Sequence, residues 1–133
     1  MRSVEECYRG SNVRVFKLDG AALVRRLTER ACALLEHRPD VVEVRLFGSL
    51  ARGEGRPGSD ADLFIVVRDG AAPLLERSSE LARAFEGVGV GCDVIAFTES
   101  EMQAASARND PFTRTVFEQG EVLATRKRPS VNR

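Results

Sequence analysis

The sequence predicts a mixed α/β (α+β) fold: a small mixed sheet with helices packed mainly on one face. Two observations carry this. Apolar runs of strand length, "VVEVRLF" (Val41 to Phe47), "ADLFIVV" (Ala61 to Val67) and "VGVGCDVIAF" (Val88 to Phe97), recur through the chain. Between them lie segments whose apolar residues follow the helical period. With 133 residues the chain has room for one core and little more. We expect a poorly ordered segment over 1–12, a single domain over 13–125 and a basic flexible tail over 126–133.

The elements follow in order. "VRVFKL" (Val13 to Leu18) alternates apolar and basic residues, as a short edge strand does, and Asp19-Gly20 caps the segment after it. From Ala21 to His37, Leu23, Leu27, Ala31, Leu34 and Leu35 share one helical face, and Pro39 ends the helix. Val41 to Phe47 is a strand. Ala61 to Val67, apolar throughout after its aspartate, reads as a strand covered on both faces. Asp69-Gly70 marks a turn, and Leu74, Leu75, Leu81 and Phe85 place a helix from about Pro73 to Phe85. Val88 to Phe97 reads as a third central strand. Thr98 three residues before Glu101 is a capping-box pattern for a helix reaching Arg108. Asp110-Pro111 opens a last helix that carries Phe112, Val116 and Phe117 and stops at Gly120, and Glu121 to Thr125 is a short strand.

Composition excludes several classes. Formal net charge is zero, so no global basic field draws the protein to nucleic acid, and any anionic ligand needs a local site. No apolar stretch approaches the roughly 20 residues that span a bilayer, and the N-terminus lacks a signal-peptide core, so a cytoplasmic protein with no membrane partner is expected. Cys7, Cys32 and Cys92 show neither CxxC spacing nor an even count, and read as thiols in a reducing compartment. His37 has no metal-ligand spacing to another histidine or a cysteine and reads as a surface residue near a helix end.

The chemistry concentrates in "LFGSLARGEGRPGSDADLFIVV" (Leu46 to Val67). Asp60 and Asp62 stand two apart at the mouth of a strand, so both carboxylates point to one face and repel. Either they belong to a solvated turn and a strand cap, or a hard divalent cation such as Mg²⁺ relieves the repulsion. Gly48-Ser49 follows a strand directly; its amides and hydroxyl suit a phosphate, and Arg52 and Arg56 lie in the same loop. Asp93 interrupts an apolar strand. It either pairs with a partner or a metal, or it sits at an edge in solvent.

Gly48-Ser49, ten intervening residues and then Asp60-Ala61-Asp62 resemble the signature of the nucleotidyltransferase fold of the DNA polymerase beta superfamily. The stretch is especially similar to the minimal nucleotidyltransferases (MNT) found in HEPN/MNT toxin–antitoxin pairs. "NDPFTRTVFEQGEVLAT" (Asn109 to Thr125) is similar to the closing segment of many of these, and the resemblance covers residues 20 to 125. It implies that Asp60, Asp62 and Asp93 are catalytic and ligate Mg²⁺, two ions in all. It implies nucleotide-binding roles for Gly48, Ser49, Arg52 and Ser59, with ATP as substrate. The implied reaction is attack of a hydroxyl on the α-phosphate of an NTP with release of pyrophosphate. The implied partner is a HEPN-type toxin encoded nearby, with this chain as the antitoxin that transfers AMP to it. Transfer to a small-molecule hydroxyl, and a non-catalytic module that masks a toxin, are the alternatives.

Overall fold

The computed structural model describes residues 8–9, 18–54, 60–70 and 72–126. Its strands are β1 (Tyr8–Arg9), β2 (Val41–Phe47), β3 (Ala61–Val67), β4 (Cys92–Thr98) and β5 (Glu121–Thr125). Its helices are α1 (Leu18–His37), α2 (Gly48–Ala51), α3 (Leu74–Ala82), α4 (Glu99–Ala107) and α5 (Pro111–Gln119), with a 3₁₀ turn over Arg83–Phe85. The five strands form one sheet in the order β1-β5-β2-β3-β4. The β3–β4 pair is parallel and the others are antiparallel, so the sheet is mixed as expected.

Strand β3 is buried on both faces because its side chains alternate between two apolar layers. Leu63, Ile65 and Val67 face the larger core, together with Leu27, Ala31 and Leu35 of α1 and Leu81 and Phe85 of the α3 segment. Phe64 and Val66 face a smaller cluster under α4 and α5. There Phe64 meets Phe97 and Phe112 at tilted angles, with ring centroids 5.2 and 5.9 Å apart. The weight of helical packing is therefore on the α1 face.

The cap signals act as the sequence predicts. Thr98 Oγ1 accepts from the Glu101 amide and Glu101 Oε1 accepts from the Thr98 amide, closing the box at the start of α4. Asp110 caps α5 by accepting from the Thr113 amide at 3.0 Å. The edge of β4 is shielded by α3, whose Ser78 hydroxyl accepts from the Ala96 amide at 3.1 Å.

Several expectations need correction. Strand β4 is at the edge, and it starts at Cys92 instead of Val88. Gly87 and Gly89 adopt φ of +80° and +113°, which breaks an extended run. Leu74 and Leu75 are exposed; the buried face of α3 is Arg77, Ser78 and Leu81. Helix α1 already includes Leu18, so Asp19 and Gly20 are helical and do not cap from outside. The strand expected over Val13 to Leu18 otherwise lies outside the described residues, as do Cys7, Arg56 and Ser59. Tyr8–Arg9, inside the 1–12 segment, pairs with β5, while Arg126 at the head of the tail donates to the carbonyls of Leu35, Arg38 and Val41. His37 is exposed, its ring Nδ1 2.8 Å from the Ala33 carbonyl. Cys32 and Cys92 are both half-buried. No described helix is long and apolar enough to cross a membrane.

Candidate active site

The site forms where β2 ends and β3 and β4 begin. After Phe47 the chain turns at Gly48 (φ +79°) into the single turn of α2, which the buried Leu50 and Ala51 anchor. The Ser49 carbonyl accepts from the amides of Arg52 and Glu54, closing the turn on itself. At the other end of the turn the first amides of α2 have no acceptor within the helix and no side-chain cap.

Asp62 lies beside this turn. It pairs in register with Phe47 on β2 and with Asp93 on β4, and alternation along the strands puts both carboxylates on the α5 face. A Cβ on Gly48 would overlap Asp62 Oδ2, so only glycine lets the turn approach that carboxylate. Asp60 reaches the same end differently. Its carboxylate covers Gly91, where a Cβ would be 2.9 Å from Oδ1, and the Gly91 carbonyl accepts from the Ala61 amide at 2.9 Å. Asp60 thus overlies the residue two before Asp93.

The electrostatics are those of crowded carboxylates. Burial pushes the Asp62 carboxyl up from its ordinary value, and the Asp93 and Asp60 charges push it further; Arg52 opposes them weakly. Among the described residues none of the three carboxylates has a hydrogen-bond or ion-pair partner. The Arg52 guanidinium is engaged elsewhere, with Glu54 Oε1 at 3.1 Å and Gln119 Oε1 at 3.5 Å. The Cys92 thiol is pushed up by burial and by Asp60 and Asp93, which keeps it protonated.

Among the described residues no group of three or more His, Cys, Asp or Glu is gathered closely enough to hold a metal ion by itself. The chemistry of the three carboxylates fits a hard divalent cation: the donors are all oxygen, they have no partner among the described residues, and Asp93 and Asp60 both repel Asp62. An open set of this kind suits Mg²⁺, which keeps several waters and fills its shell with substrate phosphates.

A model of the nucleotidyltransferase domain matches residues 24–118, from α1 to the end of α5, and so spans the whole site. The chain belongs to the nucleotidyltransferase domain family. Solved structures agree with this membership. A protein assigned as a minimal nucleotidyltransferase is 31% identical, over 73% of this chain and 92% of that one, with a TM-score of 0.51. A Sulfolobus solfataricus protein assigned as a nucleotidyltransferase is 24% identical, over 64% and 75%, with a TM-score of 0.53. A chain from a toxin–antitoxin structure with AMP-PNP is 22% identical over 75% and 71%, with a TM-score of 0.47, too distant to bear on function. No curated protein matches significantly.

In this nucleotidyltransferase domain the structure brings together Gly48, Ser49, Asp60, Asp62 and Asp93, with Arg52 at the rim. Asp93 takes the solvent-edge alternative: it is exposed at the start of an edge strand and faces the other two carboxylates. Sequence reasoning missed Gly91, the seat of Asp60. Its signal was the alternation in "GVGVG" (Gly87 to Gly91), where three glycines two apart break the apolar pattern.

Proposed function

We propose that this chain is an active Mg²⁺-dependent nucleotidyltransferase. It moves AMP, or another nucleoside monophosphate, from an NTP to a hydroxyl on a partner protein, a HEPN-type toxin that it thereby neutralises as an antitoxin in the cytoplasm. The observation that supports the catalytic reading is the meeting of Asp60, Asp62 and Asp93 at the Gly48 turn, where among the described residues no cationic side chain pairs with them. Bound there, Mg²⁺ supplies the positive charge that the carboxylates lack and neutralises the triphosphate.

The chain's own residues then have separate roles. Amides at Gly48 and Ser49 and the Ser49 hydroxyl hold the terminal phosphates, with Ser59 assisting. Arg52 exchanges Glu54 and Gln119 for a phosphate oxygen. Asp93 accepts the acceptor's hydroxyl proton as that oxygen bonds to the α-phosphorus. The bond from the α-phosphorus to the bridging oxygen breaks, and pyrophosphate leaves. The exposed position of Asp93 on an edge strand supports an acceptor that approaches from outside the domain. The choice of a HEPN partner rests on the resemblance of "GSLARGEGRPGSDADLFIVV" to minimal nucleotidyltransferases of such pairs.

Co-expression with the product of the neighbouring gene, followed by intact-mass measurement of both proteins, tests this. A gain of one or more AMP units on the neighbour is expected. An unmodified neighbour, with ATP still consumed in the presence of a small hydroxylated substrate, would overturn the protein-acceptor reading.

A further inference from the structure

The segment from Glu86 to Gly91 enters β4 as an irregular strip whose glycine faces are covered by charged side chains. A Cβ on Gly87 would be 3.8 Å from Arg30 Nη2, one on Gly89 would be 3.1 Å from Arg26 Nη2, and one on Gly91 would be 2.9 Å from Asp60 Oδ1. The two arginines also hold the strip by its carbonyls. Arg30 Nη1 donates to Ala84 and Glu86 at 3.0 and 2.7 Å, and Arg26 Nε donates to Val88 at 2.8 Å. They are four apart on α1 and so share one face of it. Val88, only 1% exposed, plugs the strip into the α1 core between them.

The last residues of this strip govern the site. Gly91 underlies Asp60 and receives the Ala61 amide, and Asp93 follows two residues later opposite Asp62. Nothing else among the described residues bonds to the carbonyls of Glu86 and Val88. Gly87 and Gly89, at positive φ, have no side chains with which to stiffen the path. We propose that Arg26 and Arg30 are positioning residues: by clamping the Glu86–Gly91 strip they set Asp60 and Asp93 against Asp62. The consequence for the metal site rests on the nucleotidyl-transfer reading; the clamp itself does not.

Two measurements on the full chain separate these. In Arg26→Met and Arg30→Met, hydrogen exchange at the Ala61 amide should quicken by about tenfold, the weight of a lost charge-assisted bond. Amides of Val44 and Ile65 should be unaffected, as should every amide in the exposed control Arg25→Met. Binding of Mn²⁺, read by electron paramagnetic resonance, should weaken by about tenfold or more in the same variants. Arg30→Lys, which keeps the charge but has a shorter reach than the guanidinium, should fall between. Unchanged Ala61 exchange would overturn the clamp, and faster exchange with wild-type Mn²⁺ affinity would overturn its positioning role. Failure of the wild-type protein to bind Mn²⁺ would count against the metal-dependent reading of the site, and the clamp would then be decided by exchange alone.

Discussion

Asp62 and Asp93 stand directly opposite each other on neighbouring parallel strands, about 4.8 Å apart as adjacent strands are. Their side chains share a face, and neither has a cationic partner among the described residues. Folding therefore confines like charges that an unfolded chain would separate.

Burial of Asp62, added to by this confinement, fixes a pH dependence. The Asp62 carboxyl is raised above its ordinary 3.8, so the folded chain holds that proton more tightly than the unfolded one. Stability from this group is fully present below 3.8 and is lost as pH rises through the raised value. At neutral pH the ionised form is a burden. Asp62→Asn should raise the Tm of the metal-free protein at pH 7, with the advantage shrinking as pH falls toward 3.8. Added Mg²⁺ should raise the Tm of the wild type more than that of the variant. Thermal melts across pH, with EDTA and with Mg²⁺, check both signs.

Gly48 and Gly53 have nearly the same backbone angle, φ +79° and +76°, but different surroundings. Gly53 has open space where a Cβ would go, whereas at Gly48 the Asp62 carboxylate fills it. Gly53→Ala should cost only the left-handed penalty of about 1–2 kcal/mol. Gly48→Ala should cost more and displace Asp62, slowing nucleotidyl transfer about 100-fold. Denaturant midpoints and turnover of the two variants, measured together, give the contrast.

Arg52 is held at the rim by exposed partners, an arrangement worth about 0–1 kcal/mol at most. Arg52→Met should thus leave stability nearly unchanged. If the guanidinium moves to a phosphate oxygen, the same variant should raise the KM for NTP about tenfold with a smaller effect on kcat. Steady-state kinetics at fixed Mg²⁺ resolve the two constants.

Glu101 has two structural duties away from the site. It closes the Thr98 capping box, and both its oxygens meet Nη2 of Arg77, a residue only 5% exposed whose Nε has no partner among the described residues. Thr98→Ala should cost about 1 kcal/mol as an ordinary lost cap. Glu101→Ala leaves a buried arginine unpaired and should cost about 3 kcal/mol. Urea unfolding of each should order them this way, with activity per folded molecule unchanged.

What was legible in the sequence follows from the range of the forces involved. Local signals were readable: the Thr98–Glu101 and Asp110 caps, and the unbroken apolar run that marks β3 as central. Long-range pairing was not. Nothing in "EVLAT" (Glu121 to Thr125) places β5 between β1 and β2, and nothing near Cys92 puts β4 at an edge. Leu74 and Leu75 misled because α3, nine residues long, packs with Arg77 and Ser78 toward β4. The candidate site was proposed from residue types and spacing, through Gly48-Ser49 and Asp60-Ala61-Asp62. The Asp62–Asp93 register and the seating of Asp60 on Gly91 depend on strand pairing and on glycine geometry that spacing does not reveal.

The most direct test of the carboxylate site uses ATP labelled at either the α- or the γ-phosphate, with Mg²⁺, the purified chain and the product of the neighbouring gene. Label from the α-position should pass to the neighbour and label from the γ-position should appear in pyrophosphate, with both signals lost in the Asp60→Ala/Asp62→Ala double variant. Transfer of γ-label to protein, or α-labelling that persists in the double variant, would contradict the assignment.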